Sequence, residues 1–248
     1  MAAKDWRGEL LLAFGSGRAA NQRSVARVRL AGGDTELSVF ETRMLYEALG
    51  AEGGATGGAA PDVQGVALMA RALEGRDAVR VFHHGSGSSS SERRVFDATV
   101  EFRLDSLLAY LDRCKRDPSA FLGFELKNPR QYDLDDYEGH PFHFTDAAPL
   151  PEQPGRVVFT ALAQRPVTHV DGSPADDESH DAPVAAVAVG IIELDGSARY
   201  TIAVEKDGAV CERRVEGLAL TGPRTGYLVV SASDEGPSVL ATLDLSGL

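Results

Sequence analysis

The chain is poor in cysteine. It has two in 248 residues, Cys114 and Cys211, with no Cys-x-x-Cys spacing. That excludes a disulfide framework and a zinc ribbon, and a reducing compartment is the simplest setting. No run of about 18 apolar residues occurs, so no membrane-spanning helix is expected. The start, MAAKDWRGEL, places charges at Lys4, Asp5 and Arg7 around too short an apolar stretch for a secretory signal. Positive charge is also scarce. Lys and Arg number 25 against 37 Asp and Glu, a net charge of -12. An acidic surface repels duplex DNA and anionic membranes, which argues against both as main partners.

Several chemical signatures are missing. There is no G-x-x-x-x-G-K-[ST], no G-x-G-x-x-G opening a helix, no G-x-S-x-G and no H-E-x-x-H. Ser179-His180-Asp181 are neighbours in sequence, whereas a catalytic triad is a spatial arrangement. No cofactor can be named from the chain.

Enough apolar material remains for a substantial core: 43% hydrophobic residues against 25% charged. ELLLAF (9–14) reads as a strand buried on both faces, and RSVARVRL (23–30) alternates, with Arg23, Arg27 and Arg29 on one side. That arginine face, with Arg18 in the preceding loop, is a weak candidate anion site. ETRMLYEALG (41–50) has a helical stripe. A second helix is expected from Asp62 to about Leu73, with Val63, Val66, Ala67 and Ala70 on one face. AVRVF (78–82) and RVFDATVEFRL (94–104) are strands, and DSLLAYLDRCK is a third helix, stopped by Pro118. The intervening GSGSSSS reads as a solvent-exposed hairpin tip. AFGSGRAANQRSVARV (13–28) echoes HHGSGSSSSERRVFDA (83–98), which raises a repeated hairpin-plus-helix unit.

TDAAPLPEQPGR (145–156) carries three prolines, and after it the helical pattern ends. Six strands are expected there, with tight turns at Asp195-Gly196 and Asp207-Gly208. Charge divides at the same place: 18 Lys and Arg against 21 Asp and Glu in residues 1–144, and 7 against 16 in 145–248. The expected fold class is therefore α+β. Residues 1–146 form antiparallel hairpins with helices on one face, and 155–248 form a β-rich antiparallel meander or small sandwich.

The densest polar cluster is YDLDDYEGHPFHF (132–144). Imidazoles and carboxylates together suit zinc, manganese or iron. The candidate ligands are His140, His143, Asp133, Asp135 and Asp136, completed by His83 from the strand end. The competing reading is a surface loop whose aromatics pack inward while the carboxylates stay wet. The function expected is non-catalytic binding or assembly, with a protein partner or by self-association, as a subunit of a larger cytoplasmic complex. The alternative is a metal-dependent hydrolase or nuclease using residues 133–143.

Overall fold

The computed structural model describes residues 2–4, 10–31, 34–51, 56, 58, 60–85, 96–150, 153–166, 182–222, 224–231 and 238–248. The chain runs through four antiparallel sheets in order. The first holds β1 (Ala2–Lys4), β2 (Leu10–Phe14), β3 (Ser24–Ala31) and β4 (Asp34–Glu41). Helix α1 (Arg43–Gly50) follows. The second sheet holds β5 (Val63–Leu73), β6 (Arg76–His83), β7 (Asp97–Arg103) and β8 (Lys127–Tyr132), with α2 (Leu104–Cys114) between its last two strands. The third holds β9 (Asp136–Tyr137), β10 (His140–Pro149), β11 (Val157–Gln164), β12 (Val184–Ile192) and β13 (Ala198–Ile202). The fourth holds β14 (Arg214–Gly222), β15 (Thr225–Ser231) and β16 (Val239–Asp244).

Three apolar cores separate the four sheets. The first lies between sheets one and two, where Leu12, Phe14, Val25 and Phe40 meet Val79, Val81, Val100 and Phe102. The second lies between sheets two and three, where Met69 and Phe82 meet Phe144, Phe159 and Ala161. The third lies between sheets three and four, where Val158, Leu162 and Val187 meet Val215, Leu218 and Val230. Successive residues of a strand point to opposite faces, so sheets two and three feed a core on each side. This is why β12, VAAVAVGII, is buried at every position. Strands β1, β5, β10 and β14 neighbour one another in turn. Meanders stacked face to face about such inner strands resemble successive propeller blades. Here four of them make a half-barrel.

The α+β expectation is corrected. Among the described residues strands make up 55% and helices 11%, with two α-helices. Both helices supply the first core, through Leu45, Tyr46 and Leu49 of α1 and Leu107, Tyr110 and Leu111 of α2. Arg27 of β3 reaches Asp112 of α2 at 2.8 Å. The helix expected from Asp62 is strand β5. It is covered on both faces, so its continuous apolar run hides the two-residue period and imitates a helical stripe. The proline-rich segment falls within sheet three, where Thr145–Pro149 end β10 and the chain turns into β11. The six C-terminal strands are β11 to β16. The tip Ser86–Ser91 lies outside the described residues. Among those described, no helix is long and apolar enough to cross a membrane.

Candidate functional site

The polar side chains that converge lie where sheets two and three meet. Strand β6 ends at His83, His84 follows it, β7 opens at Asp97, and β10 carries His143. His143 Nδ1 is 2.9 Å from Asp97 Oδ1. The same oxygen accepts the Gly85 N–H at 2.8 Å, and Asp97 Oδ2 accepts the Phe144 N–H. The β10 edge is paired by β9 only at His140 and Pro141. Backbone donors farther along that edge need another acceptor, and for Phe144 it is Asp97. Burial opposes the Asp97 charge. The hydrogen bond and charge of His143, with the Gly85 N–H, outweigh it and hold the carboxyl below the usual range.

His84 lies against His143, with ring centroids 4.2 Å apart and the rings tilted by 40°. Its Nδ1 lies 3.6 Å from Asp62 Oδ2, too far for a hydrogen bond, and has no hydrogen-bond partner among the described residues. Burial, then the neighbouring His143, lowers His84 to about 4. Asp62 is held by Arg18 at 2.6 Å and by Gln64 at 2.9 Å, and donates its own N–H to His83 Nδ1 at 2.8 Å. Burial lowers the His83 pKa. In its neutral form the accepting Nδ1 leaves the proton on Nε2, which is buried without a partner among the described residues. Chemically, Asp97 fixes the His143 ring with Nδ1–H toward the carboxylate. That arrangement leaves Nε2 able to take or give a proton.

The residues expected to bind metal are distributed differently. His143 turns to Asp97 and not to the 133–136 carboxylates. His140 opens β10 three residues earlier, which puts it on the other face of the strand. Asp133 Oδ1 accepts the Asp135 N–H at 3.2 Å, Asp136 Oδ1 accepts the Gly139 N–H at 2.8 Å, and Asp135 meets the Tyr200 hydroxyl at 3.2 Å. These carboxylates shape the turn into β10. His83 faces Asp62. Among the described residues no group of three His, Cys, Asp or Glu side chains is placed to hold a metal ion.

From sequence, Asp97 is not marked as a site residue, and Asp62 is placed only at the start of an expected helix. Asp97, Thr99 and Glu101 share the polar face of an alternating strand, yet all three are buried because sheet two is covered on both faces. The available signal was the matching charge on β6, where Arg80 stands opposite Glu101.

A second kind of surface lies at the two ends of the stack. On sheet one, Leu11, Val28 and Leu37 form one cross-strand row and Ala13, Ala26 and Val39 the next. This row system faces away from the first core, and Leu37 and Val39 are 63% and 65% exposed. On sheet four, Ala219, Tyr227 and Thr242 form the outward row, and Leu240 beside it is 68% exposed.

A search of curated proteins finds no match. The sequence model of a family of unknown function (DUF6929) matches residues 1–245, nearly the whole length, and the chain belongs to that family.

Proposed function

We propose that this is a binding and assembly protein whose working surfaces are the open faces of its two end sheets. The observation that supports the reading is the exposure of Leu37 and Val39 in cross-strand rows on sheet one, and of Leu240 on sheet four. Scattered exposed aliphatics are ordinary, but aligned ones on one sheet face form a patch of the kind that marks an interaction site. The partner is a protein, another copy of the chain included. A cytoplasmic setting fits Cys114 and Cys211, which are both buried and unpaired. Light scattering from low to high micromolar concentration, with binding of an apolar fluorescent dye, tests the reading. Association is expected to rise with concentration as dye binding falls. A single-chain mass throughout, with no dye bound, would remove it.

The Asp97–His143 pair favours a second reading, a hydrolase with His143 as the base. Its test is turnover of a panel of nitrophenyl esters and phosphates. Under this reading His143→Ala abolishes any turnover, and Asp97→Asn reduces it while altering its pH profile.

A further inference from the structure

We infer that the partner of the two end faces is a second copy of this chain, and that two copies close eight sheets into one ring. This rests on the assembly reading above and fixes its partner and geometry. The four sheets of one chain span a half-barrel. A half-turn that ends in two open faces is completed by one two-fold rotation, which brings sheet one of each copy against sheet four of the other. Cyclic two-fold dimers are the commonest closed assemblies, and closure leaves no face open for further growth.

Three observations support this occupant. Inside the chain, each sheet packs against the next across a core of aliphatic and aromatic side chains, with α1 and α2 adding to the first core. The end faces carry exposed apolar side chains: Leu11, Val28, Leu37 and Val39 at one end, and Tyr227 and Leu240 beside Ala219 and Thr242 at the other. A contact between sheet one and a partner's sheet four repeats a packing mode the chain already uses three times. Charge points the same way. Residues 1–41 carry six Lys and Arg against five Asp and Glu, and residues 214–248 carry two against four. The middle of the chain, 42–213, carries 17 against 28. The net charge that drives copies apart is thus concentrated away from the ends. The two end segments are close to neutral, +1 and -2, so little net charge opposes their contact.

The test uses the purified full chain. Light scattering or sedimentation is expected to give twice 26.4 kDa. Leu37→Glu on sheet one and Leu240→Glu on sheet four are each expected to halve that mass. Circular dichroism and thermal melting confirm that each variant remains folded. Should either fail to fold, Leu37→Ser or Leu240→Ser takes its place. The arrangement is tested by mixing Val39→Cys chains with Leu240→Cys chains and adding a short bis-maleimide. Mixed cross-linked dimers are expected, with none from either variant alone. A wild-type dimer that survives substitution at either face, a larger assembly, or cross-links between like faces overturns ring closure and leaves the assembly reading standing. A single-chain mass also overturns ring closure. It removes assembly as well only if the faces bind no apolar dye.

Discussion

Asp146 Oδ2 accepts the Leu218 N–H at 2.6 Å, and this bond ties the third sheet to the fourth. The same device ties the second sheet to the third, where Asp97 accepts the Phe144 N–H. In both cases the donor sits on the innermost long strand of its sheet: β14 is an edge, and β10 is paired on that side only at His140 and Pro141, so backbone N–H groups there lack a ladder partner. A register shift occurs nearby in each strand, between Phe144 and Asp146 in β10 and between Val215 and Gly217 in β14. One buried carboxylate from the preceding sheet satisfies each exposed donor. The stack is therefore pinned by polar contacts as well as by its cores.

Removing the Asp146 pin should be costly. Asp146→Ala strands the buried Leu218 N–H and also the Ala147 N–H, which the carboxylate accepts at 2.6 Å. Two unsatisfied donors at about 1–3 kcal/mol each give an expected loss of about 2–6 kcal/mol in urea unfolding near pH ~4–5, where the carboxyl keeps most of its contribution. A loss below about 0.5 kcal/mol, the size expected of an ordinary surface substitution, would show that the bond does not hold the sheets.

Asp146 also makes stability depend on pH. Burial, only partly offset by the Leu218 and Ala147 N–H groups, raises it to about 7. In the unfolded chain it titrates near ~3.9. The folded pKa is the higher one, so its contribution is complete below about pH 4 and is lost as pH rises through 7. The loss sums to about 4 kcal/mol at roughly 1.4 kcal/mol per unit. Asp146→Asn cannot titrate, so its stability relative to wild type should improve by about that amount between about pH 4 and pH 8. An unchanged difference would place the Asp146 carboxyl in an ordinary aqueous range.

Many individual strands are legible from sequence, but β5 and β8 to β10 are not, nor is the relation between strands. Alternation in RVFDATVEFRL gives β7 and its two faces, and DSLLAYLDRCK gives α2. The fold class failed on β5. Stacking a sheet between two others buries both of its faces and erases the polar side from which a strand is recognised. The pairing of His143 with Asp97 is hidden from sequence for a related reason. His143 is in the acidic cluster, but its partner Asp97 is 46 residues earlier, and only the packing of sheet two on sheet three brings them together. No local spacing encodes that contact.

The imidazole pair gives a spectroscopic expectation. His84 should titrate with a midpoint of about 4 in proton–carbon NMR spectra. Its folded pKa lies below the unfolded value of about 6.5, so the stability tied to the neutral ring is present above that value and fades as pH falls toward 4. His143→Ala removes the neighbour that helps to lower His84, and the His84 midpoint should then move up. If it stays in place, burial alone sets the titration.

Gly190 tests the packing of the third sheet. A Cβ built there would lie 2.4 Å from Phe159 Cζ and 2.6 Å from the Arg199 carbonyl oxygen. Phe159 is fully buried, in edge-to-face contact with Phe144. The ring cannot move without disturbing the second core, and the carbonyl belongs to the neighbouring strand. Gly190→Ala should therefore destabilise by about 1–3 kcal/mol or more, despite the better strand propensity of alanine. Gly208→Ala is an informative contrast in a thermal melt: its Cβ meets nothing within 4 Å, so its cost comes from the positive φ of 86° alone.

The last expectation concerns the buried ion pair in sheet two. Arg80 and Glu101 face each other across β6 and β7, with Nε donating to Oε1 at 2.8 Å. Asn128 donates to the other carboxylate oxygen at 2.8 Å, while Arg80 Nη1 has no partner among the described residues. Both side chains are almost wholly buried. Removing one charge leaves the other stranded, so Arg80→Met and Glu101→Leu should each cost about 3–5 kcal/mol. Replacing both at once removes the desolvation penalty together with the attraction. The double variant should therefore be no less stable than either single variant, and within about 1–2 kcal/mol of wild type. Urea unfolding of the four proteins checks this. Additive losses would mean that the two charges do not depend on each other, and that Asn128 and the surrounding backbone satisfy Glu101 without Arg80.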